Sequence, residues 1–116
     1  MQNLNSNTVI LVTRNGMGHA EPELAQKLFA TYLRLLAEGD DLPAVMCFYA
    51  EGVRLAVSGS PVLELLKGLE AKGVRLVLCS TCLSFYNLME EVQVGITGGM
   101  PDIVTAMQRA QKVISL

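Results

Sequence analysis

Apolar residues in this 116-residue chain form short continuous runs, separated by longer stretches with apolar residues at helical spacing. Continuous runs rich in aliphatic and β-branched residues predict strands that are buried on both faces. The predicted strands cover residues 8–13, 44–49 and 74–78, with a weaker strand at 92–96 and a short closing strand at 113–116.

The stretches between these runs predict helices. The longest helix covers residues 21–38, and Pro22 suits its first turn. Ser60 is predicted to cap a second helix that starts at Pro61. Further helical segments are predicted at 52–56, 83–88 and 101–110. Strands and helices that alternate in this order predict a parallel sheet with helices on both faces.

Size and charge narrow the classes of protein to consider. The length fits one domain over residues 1–116, with residues 1–7 as a polar, flexible tail. The net charge of -2 and the scattered basic residues argue against nucleic-acid binding and against a membrane-surface patch. No apolar run approaches the roughly 18 residues of a spanning helix.

Cysteine content and hydropathy suggest a compartment and an assembly state. Three cysteines are an odd number for a disulfide framework, and the first residues lack the features of a secretory signal. We therefore expect a cytoplasmic protein with reduced thiols. The mean hydropathy of +0.38 is high for a small monomer, so we also expect a homo-oligomer.

Loops that follow parallel strands meet at one edge of the sheet, where ligands usually bind. Residues 15–20, 50–53 and 79–82 are predicted to converge there, and residues 97–100 join them if the fourth strand is parallel. The third of these loops is Cys79-Ser80-Thr81-Cys82. It places two thiols three positions apart at the end of a strand.

The three cysteines have different expected environments. Cys47 lies inside a predicted strand and is expected to be a small core residue. Cys79 is either the last buried residue of its strand or the first residue of a site. Cys82 is expected at a helix start, which lowers a thiol pKa, so it is the stronger candidate for a reactive thiol.

Four interpretations of the cysteine pair compete. A thioredoxin-like redox pair is disfavoured, because no Trp precedes the motif and no Pro lies within it. Half of a zinc site is disfavoured, because only His19 and carboxylates could complete four ligands. A persulfide carrier and a pair of structural cysteines remain, and the chemistry of the residues does not separate them.

The loop after the first strand contains Gly16-Met17-Gly18-His19, which partly matches a dinucleotide fingerprint. Glu21 stands where the third glycine is required, so the glycines are better explained by a tight turn. His19 could assist proton transfer or pair with a thiolate, although a solvated loop histidine is more common. Tyr49 and Tyr86 could line a pocket near the cysteines or pack with their hydroxyls at the surface.

The sequence resembles the DsrE-like sulfur-relay family, and within it the C-terminal domain of YedF-type proteins, which are linked with selenium metabolism. The most specific matching stretch is Thr81-Cys82-Leu83-Ser84-Phe85-Tyr86. Other matching segments are the Gly16–Gly18 loop, Glu23-Leu24, Leu42-Pro43, Phe48-Tyr49, Gly52-Val53-Arg54-Leu55, Gly59-Ser60, Leu63, Gly73-Val74 and Val94-Gly95. The resemblance covers nearly the whole chain from Val9 onward.

This resemblance implies a three-layer α/β/α sandwich with a mainly parallel five-stranded sheet, and assembly into dimers, trimers or hexamers. It also implies a persulfide on Cys82, with Cys79 matching the first cysteine of the usual Cys-Gly-Thr-Cys. The candidate binding residues beside the cysteines are Gly16, Gly18, His19, Tyr49 and Thr81, and a sulfur relay of this kind requires no metal or organic cofactor. The expected partners are proteins that donate or accept sulfur.

Two departures from the YedF-type pattern affect this expectation. Ser80 stands where relatives have Gly, so the loop has less backbone freedom. Full-length YedF-type proteins also carry an N-terminal TusA-like domain with a Cys-Pro motif, which this sequence does not contain. We therefore expect a second transfer cysteine, if one is needed, to come from another polypeptide.

Overall fold

In the computed structural model, the described part of the chain covers residues 3–116, with side chains from residue 7 onward. Five strands form one sheet in the order β4-β3-β2-β1-β5, and every neighbouring pair is parallel. The strands are β1 (Asn3–Val12), β2 (Asp41–Phe48), β3 (Arg75–Cys79), β4 (Ile96–Gly98) and β5 (Lys112–Ser115).

Four α-helices and two short 3-10 segments connect the strands. The helices are α1 (Pro22–Glu38), α2 (Leu63–Ala71), α3 (Ser80–Phe85) and α4 (Met100–Arg109). The 3-10 segments are Ala50–Ala56, after β2, and Met89–Glu91, after α3. None of the helices in the described residues is long and apolar enough to cross a membrane.

Side chains that alternate along the strands divide the core between the two faces of the sheet. On one face, Ile10, Met46 and Leu76 pack with the buried residues of α1 and α2. On the other face, Val9, Cys47, Val77 and Cys79 pack with Ile103 of α4. The predicted three-layer sandwich with a parallel five-stranded sheet is therefore confirmed.

The first strand is longer than its apolar run suggested. It starts at Asn3 and pairs with β2 from Asp41 onward, whereas we predicted a start at Thr8. The polar composition of residues 3–7 does not prevent this pairing, because backbone groups form the ladder. Within the predicted tail, residues 1 and 2 lie outside the described residues.

The fourth strand was predicted too early in the chain. The segment 92–96 is mostly not a strand, and β4 covers Ile96–Gly98 instead, in a stretch that we expected to be a loop. Gly95 has φ 86°, which interrupts an extended backbone. Val92 forms an isolated bridge with Val57, and Val94 is buried in the core. The apolar alternation there reflects these contacts.

Two helix starts also differ from the prediction. The helix predicted from Pro61 starts at Leu63, because the Val62 N–H donates to Ser60 Oγ at 3.2 Å and forms a turn before it. The short helix predicted at 83–88 covers Ser80–Phe85. It therefore follows β3 directly and includes Cys82.

Candidate functional site around the cysteine pair

The cysteine pair lies where β3 becomes α3 without an intervening loop. Cys79 is the last residue of β3 and the N-cap of α3, with φ -71° and ψ 117°. Cys82 is the third residue of the helix. The Cys79 side chain is buried, at 1% exposure, whereas Cys82 is half-buried. Of the two thiols, only Cys82 is accessible to a reactant from solution.

The backbone after β2 provides a hydrogen bond to Cys82. The Ala50 N–H donates to Cys82 Sγ at 3.1 Å. Ala50 has φ 51°, a left-handed conformation that non-glycine residues rarely adopt. Such strain persists where the surrounding structure imposes it. The hydrogen bond therefore fixes the thiol against a backbone segment with a defined conformation.

Close packing against β1 holds this segment in place. Gly52 lies directly on the carbonyl of Val12, and a Cβ at this position would come within 2.0 Å of the Val12 oxygen. The N–H of Tyr49 also donates to that oxygen, at 3.1 Å. Since Gly52 N–H in turn donates to Tyr49 O at 2.9 Å, the start of the 3-10 segment is tied to β1 on both sides of Ala50.

The surroundings of Cys82 raise the pKa of its thiol above the ordinary value. Burial is the largest cause. The Ala50 N–H acts in the opposite direction, because it stabilises the thiolate, and Cys79 raises the pKa further through a hydrogen bond and through charge. We expected a lowered pKa from the start of α3, and that expectation is wrong.

A polar and aromatic group flanks the thiol on the α3 side. The Arg54 guanidinium lies 4.3 Å from the centre of the Tyr86 ring, and Arg54 Nε donates to Glu51 Oε2 at 3.1 Å. Burial raises the pKa of the Tyr86 hydroxyl, and its hydrogen bond to Glu51 raises it further. Since Tyr86 N–H bonds to Cys82 O at 3.1 Å, this group lies one helical turn from the thiol.

The predicted binding residues fall at different distances from the thiols. Tyr49 packs in the same apolar cluster as Cys79 and Cys82, so the structure brings it to the site. Thr81 is exposed and lines a shallow depression of about 540 Å³ on the outer side of α3, together with Phe85 and Met89.

The loop after β1 has a mainly structural role. Gly16 has φ 145° and lies against Ala25, where a Cβ would come within 2.5 Å of the Ala25 Cβ. Gly18 is exposed, with φ 79°. His19 is also exposed, and within the described residues no hydrogen bond or ion pair joins it to either cysteine. The structure therefore does not pair this histidine with the thiols.

A polar cleft of about 260 Å³ lies beside the Arg54–Tyr86 pair, and its other walls come from the loop after β1, from α1 and from the residues that precede α2. It is lined by Asn15, Gln26, Arg54, Val57, Ser58, Gly59, Ser60, Pro61 and Leu88.

Among the residues that the structure describes, no three His, Cys, Asp or Glu side chains gather as metal ligands.

Comparison with family models and solved structures agrees with this architecture. The model of the DsrE/DsrF-like family matches residues 8–116. The chain belongs to the DsrE/DsrF-like family. No match was found among the curated proteins that were compared.

Two solved structures share the fold. The ychN protein from E. coli has 17% identity and a TM-score of 0.66, over 96% of this chain and 99% of that one. MTH1491 from Methanobacterium thermoautotrophicum, described as a protein of unknown function, has 19% identity and a TM-score of 0.72, over 97% and 100% of the two chains. At these identities the likeness establishes the fold alone.

In this DsrE/DsrF-like chain, the sequence pattern did not identify the residues of the 3-10 segment that lie near Cys82 and Tyr86. Ala50 acts through its backbone, and an alanine gives no sign of a positive φ. Glu51 and Arg54 had no pattern that would place them beside a cysteine. Tyr86 was expected, with Tyr49, either to line a pocket near the cysteines or to pack with its hydroxyl at the surface, and it lies four residues after Cys82, at the end of α3.

Proposed function

We propose that this chain is a sulfur-relay protein that holds a sulfur atom as a persulfide on Cys82. Proteins of the DsrE-like family are often associated with sulfur relay. The observation that carries the proposal is the contact between Ala50 N–H and Cys82 Sγ, at 3.1 Å, on a half-buried thiol at the carboxyl end of a parallel sheet. A backbone donor there stabilises negative charge on sulfur each time the thiolate forms.

The proposed transfer consists of two displacements without net oxidation. Cys82 thiolate attacks the outer sulfur of a donor persulfide, a sulfur–sulfur bond forms, and the donor leaves as a thiolate. An acceptor thiolate then attacks the outer sulfur on Cys82, and Cys82 leaves as a thiolate. In the second step the Ala50 N–H stabilises the leaving group, because it already bonds to this sulfur.

The remaining roles follow the resemblance to YedF-type proteins. We propose a cytoplasmic protein whose donor or acceptor is a TusA-like protein, with selenium as an alternative cargo. Backbone N–H groups of the Gly16–Gly18 loop and the exposed His19 are supporting candidates that would act on a bound partner. Thr81 is exposed in a depression with Phe85, which is 82% exposed, so this surface is available to a partner that approaches α3.

Loading tests this proposal. Cys79→Ala protein is treated with inorganic polysulfide without oxygen, freed of excess reagent, and weighed intact. We expect one added sulfur atom, which is lost on adding glutathione as an acceptor thiol. A Cys79→Ala protein that also carries Cys82→Ala should form no adduct. One that carries Cys47→Ala as its second substitution should still form it, because Cys47 is a buried thiol. An adduct that survives Cys82→Ala, or no adduct at all, rules the proposal out.

The raised pKa of Cys82 gives this chemistry a defined pH dependence. The thiolate is the nucleophile, and burial raises the pKa of the Cys82 thiol, so less thiolate forms at a given pH than on an exposed cysteine. Alkylation by iodoacetamide should therefore accelerate with pH, with a midpoint higher than that of an exposed cysteine. Cys79→Ala removes two causes that raise this pKa, so its midpoint should be lower. An unchanged midpoint would contradict the assigned cause.

A second candidate function is a non-catalytic assembly subunit with structural cysteines. The observation that favours it is a set of exposed leucines on α1: Leu24, Leu28 and Leu35 are 50%, 45% and 64% exposed. Under this alternative, the Cys82→Ala protein would self-associate as the wild type does. Neither the wild type nor the Cys82→Ala protein would take up sulfur from polysulfide.

A further inference from the structure

We propose that Cys79 is a resolving thiol, which attacks the persulfide on Cys82, closes a Cys79–Cys82 disulfide and releases the carried sulfur as hydrogen sulfide. This inference rests on the proposed function, and it adds an activity to it. The relay would then have two outcomes, namely transfer to an acceptor thiol or reductive release.

The positions of the two cysteines at the start of α3 support this proposal. Cys79 is the N-cap and Cys82 the third helical residue, and side chains three apart on a helical turn are neighbours. The same spacing occurs in Cys-X-X-Cys redox pairs. Both side chains pack in the apolar cluster that faces α4. The thiol of Cys79 also acts directly on the pKa of Cys82, through a hydrogen bond.

Cys47 shows that the interaction is specific to this pair. It belongs to the same apolar cluster but lies opposite Val77 in the sheet register, two residues before Cys79. Desolvation raises the pKa of Cys47 to about 11, with Arg75 as the opposing charge, and neither of the other thiols contributes. Cys47 is therefore a matched control for Cys79, because it is a buried thiol of the same cluster.

Burial restricts the reactions of Cys79. At 1% exposure, it is shielded from a donor or an acceptor thiol in solution. Cys82, half-buried beside it, is the available partner. An attack within one helical turn needs no encounter, and such proximity greatly raises the effective concentration of a reactant. The structure therefore favours Cys79 as a second thiol that acts on the loaded Cys82.

The step balances in atoms and electrons. Cys79 sulfur bonds to the inner sulfur of the Cys82 persulfide, and the bond between inner and outer sulfur breaks. The outer sulfur leaves with the electron pair and takes the thiol proton of Cys79, which yields hydrogen sulfide. The Cys79 thiol is oxidised, the outer sulfur is reduced, and the resulting disulfide returns to two thiols when an external dithiol reductant supplies two electrons.

The lifetime of the persulfide tests this inference. Wild-type and Cys79→Ala proteins are loaded briefly with inorganic polysulfide, desalted without oxygen, and followed by intact mass and by sulfide release. In the wild type we expect the added sulfur to disappear, with one sulfide released and two hydrogens lost per chain. In Cys79→Ala we expect the adduct to last at least about tenfold longer. Cys47→Ala should behave like the wild type.

The outcomes separate the two proposals. If Cys79→Ala carries no adduct and the wild type neither carries sulfur nor forms a disulfide, the proposed function itself fails. If the wild type holds its sulfur as long as Cys79→Ala does, the resolving role fails and the relay stands. Far-UV circular dichroism of each variant checks that the truncation at a buried position has not unfolded the chain.

A second measurement avoids the persulfide altogether. With oxidised glutathione, wild-type protein should pass through a mixed disulfide on Cys82 and end with a Cys79–Cys82 disulfide, identified by peptide mapping. Cys79→Ala should stop at the glutathione adduct, and Cys82→Ala should react much more slowly. A wild-type protein that retains glutathione as long as Cys79→Ala would overturn the inference.

Discussion

Ala50 places a backbone donor at a thiol that lies thirty-two positions later in the chain. Its φ of 51° directs the N–H towards Cys82, and the neighbouring contacts with Val12 hold that conformation. At the scale of single residues, the site therefore depends on a backbone conformation as much as on the cysteine side chain. The consequences for stability can be tested at Ala50 itself.

Replacement of Ala50 tests this backbone conformation. Glycine adopts a positive φ without steric cost but has more freedom in the unfolded chain, so Ala50→Gly should stabilise the fold by at most about 1 kcal/mol. Ala50→Val, with a branched side chain, should destabilise it by about 1–2 kcal/mol. Urea unfolding measures both free energies.

The alkylation rate of Cys82 provides the matching functional control. Ala50→Gly keeps the donor and the conformation, so its rate should equal that of the wild type. If Ala50→Gly were strongly destabilising and Ala50→Val neutral, Ala50 would not have the left-handed conformation in solution. The hydrogen bond from its N–H to Cys82 would then not form as described.

The buried thiol of Cys47 should make the free energy of unfolding fall as the pH becomes alkaline. Burial raises its pKa from 9.0 to about 11, against the opposing charge of Arg75, so the folded protein keeps the thiol while the unfolded chain ionises. The stability from the neutral thiol is fully present below pH 9.0 and is lost as the pH rises towards 11. The loss should reach about 2–3 kcal/mol.

The measurement compares the unfolding free energies of wild type and Cys47→Ala from about pH 8 to about pH 11, since groups common to both proteins then cancel. The difference should shrink steadily as the pH rises, because alanine has no proton to lose. A difference that stays constant across this range would show that Cys47 is not buried as a neutral thiol.

Among the elements, the central strands and the long helix were predictable and the segment after β3 was not. The runs that form β2 and β3 and the helical spacing within α1 are strong signals, because burial on both sheet faces or on one helix face dictates them. β4 has only three residues, so its apolar pattern is too short to predict a strand. The apolar residue before it, Val94, is buried in the core without belonging to the strand.

The candidate site shows the same division. The cysteine pair and its place at the end of β3 followed from the sequence, because a strand pattern leads directly into Cys79. The 3-10 segment that supplies Ala50 N–H was expected only as a helical turn, and its contact with Cys82 joins this segment to α3, which is far away in sequence. Long-range contacts of this type have no local signal.

Gly52 tests the packing of the 3-10 segment on β1. A Cβ at Gly52 would meet backbone atoms of Val12 that cannot rotate away, so Gly52→Ala should destabilise the protein by about 1–3 kcal/mol. It should also displace Ala50 and slow the loading of Cys82 with polysulfide. Gly68 in α2 has open space around it, so Gly68→Ala should stabilise by roughly 0.5–1 kcal/mol and leave loading unchanged. If Gly52→Ala and Gly68→Ala changed the unfolding free energy and the loading of Cys82 equally, the 3-10 segment would not depend on its close contact with Val12.

In the whole molecule, the two faces of the sheet have different helical covers. α1 and α2 pack on one face and α4 on the other, while the candidate site around Cys82 lies at the carboxyl ends of the strands. Exposed apolar side chains occur on the outer surfaces of both layers, with Leu28 on α1 and Val104 on α4 as examples. Either layer could therefore contribute to the homo-oligomer that the mean hydropathy predicts.

The α1 surface is the better candidate for self-association, because the exposed Leu28 and Leu35 line an apolar groove that also includes Tyr32, and Leu24 is exposed on the same helix. Leu28→Glu should shift the sedimentation coefficient towards that of a monomer, since a carboxylate in an apolar interface loses its hydration. Val104→Glu introduces the same charge at a residue of similar exposure, 43%, on the opposite layer and should leave the assembly intact. The reverse result would place the interface on α4, and a wild-type monomer would refute self-association through either surface.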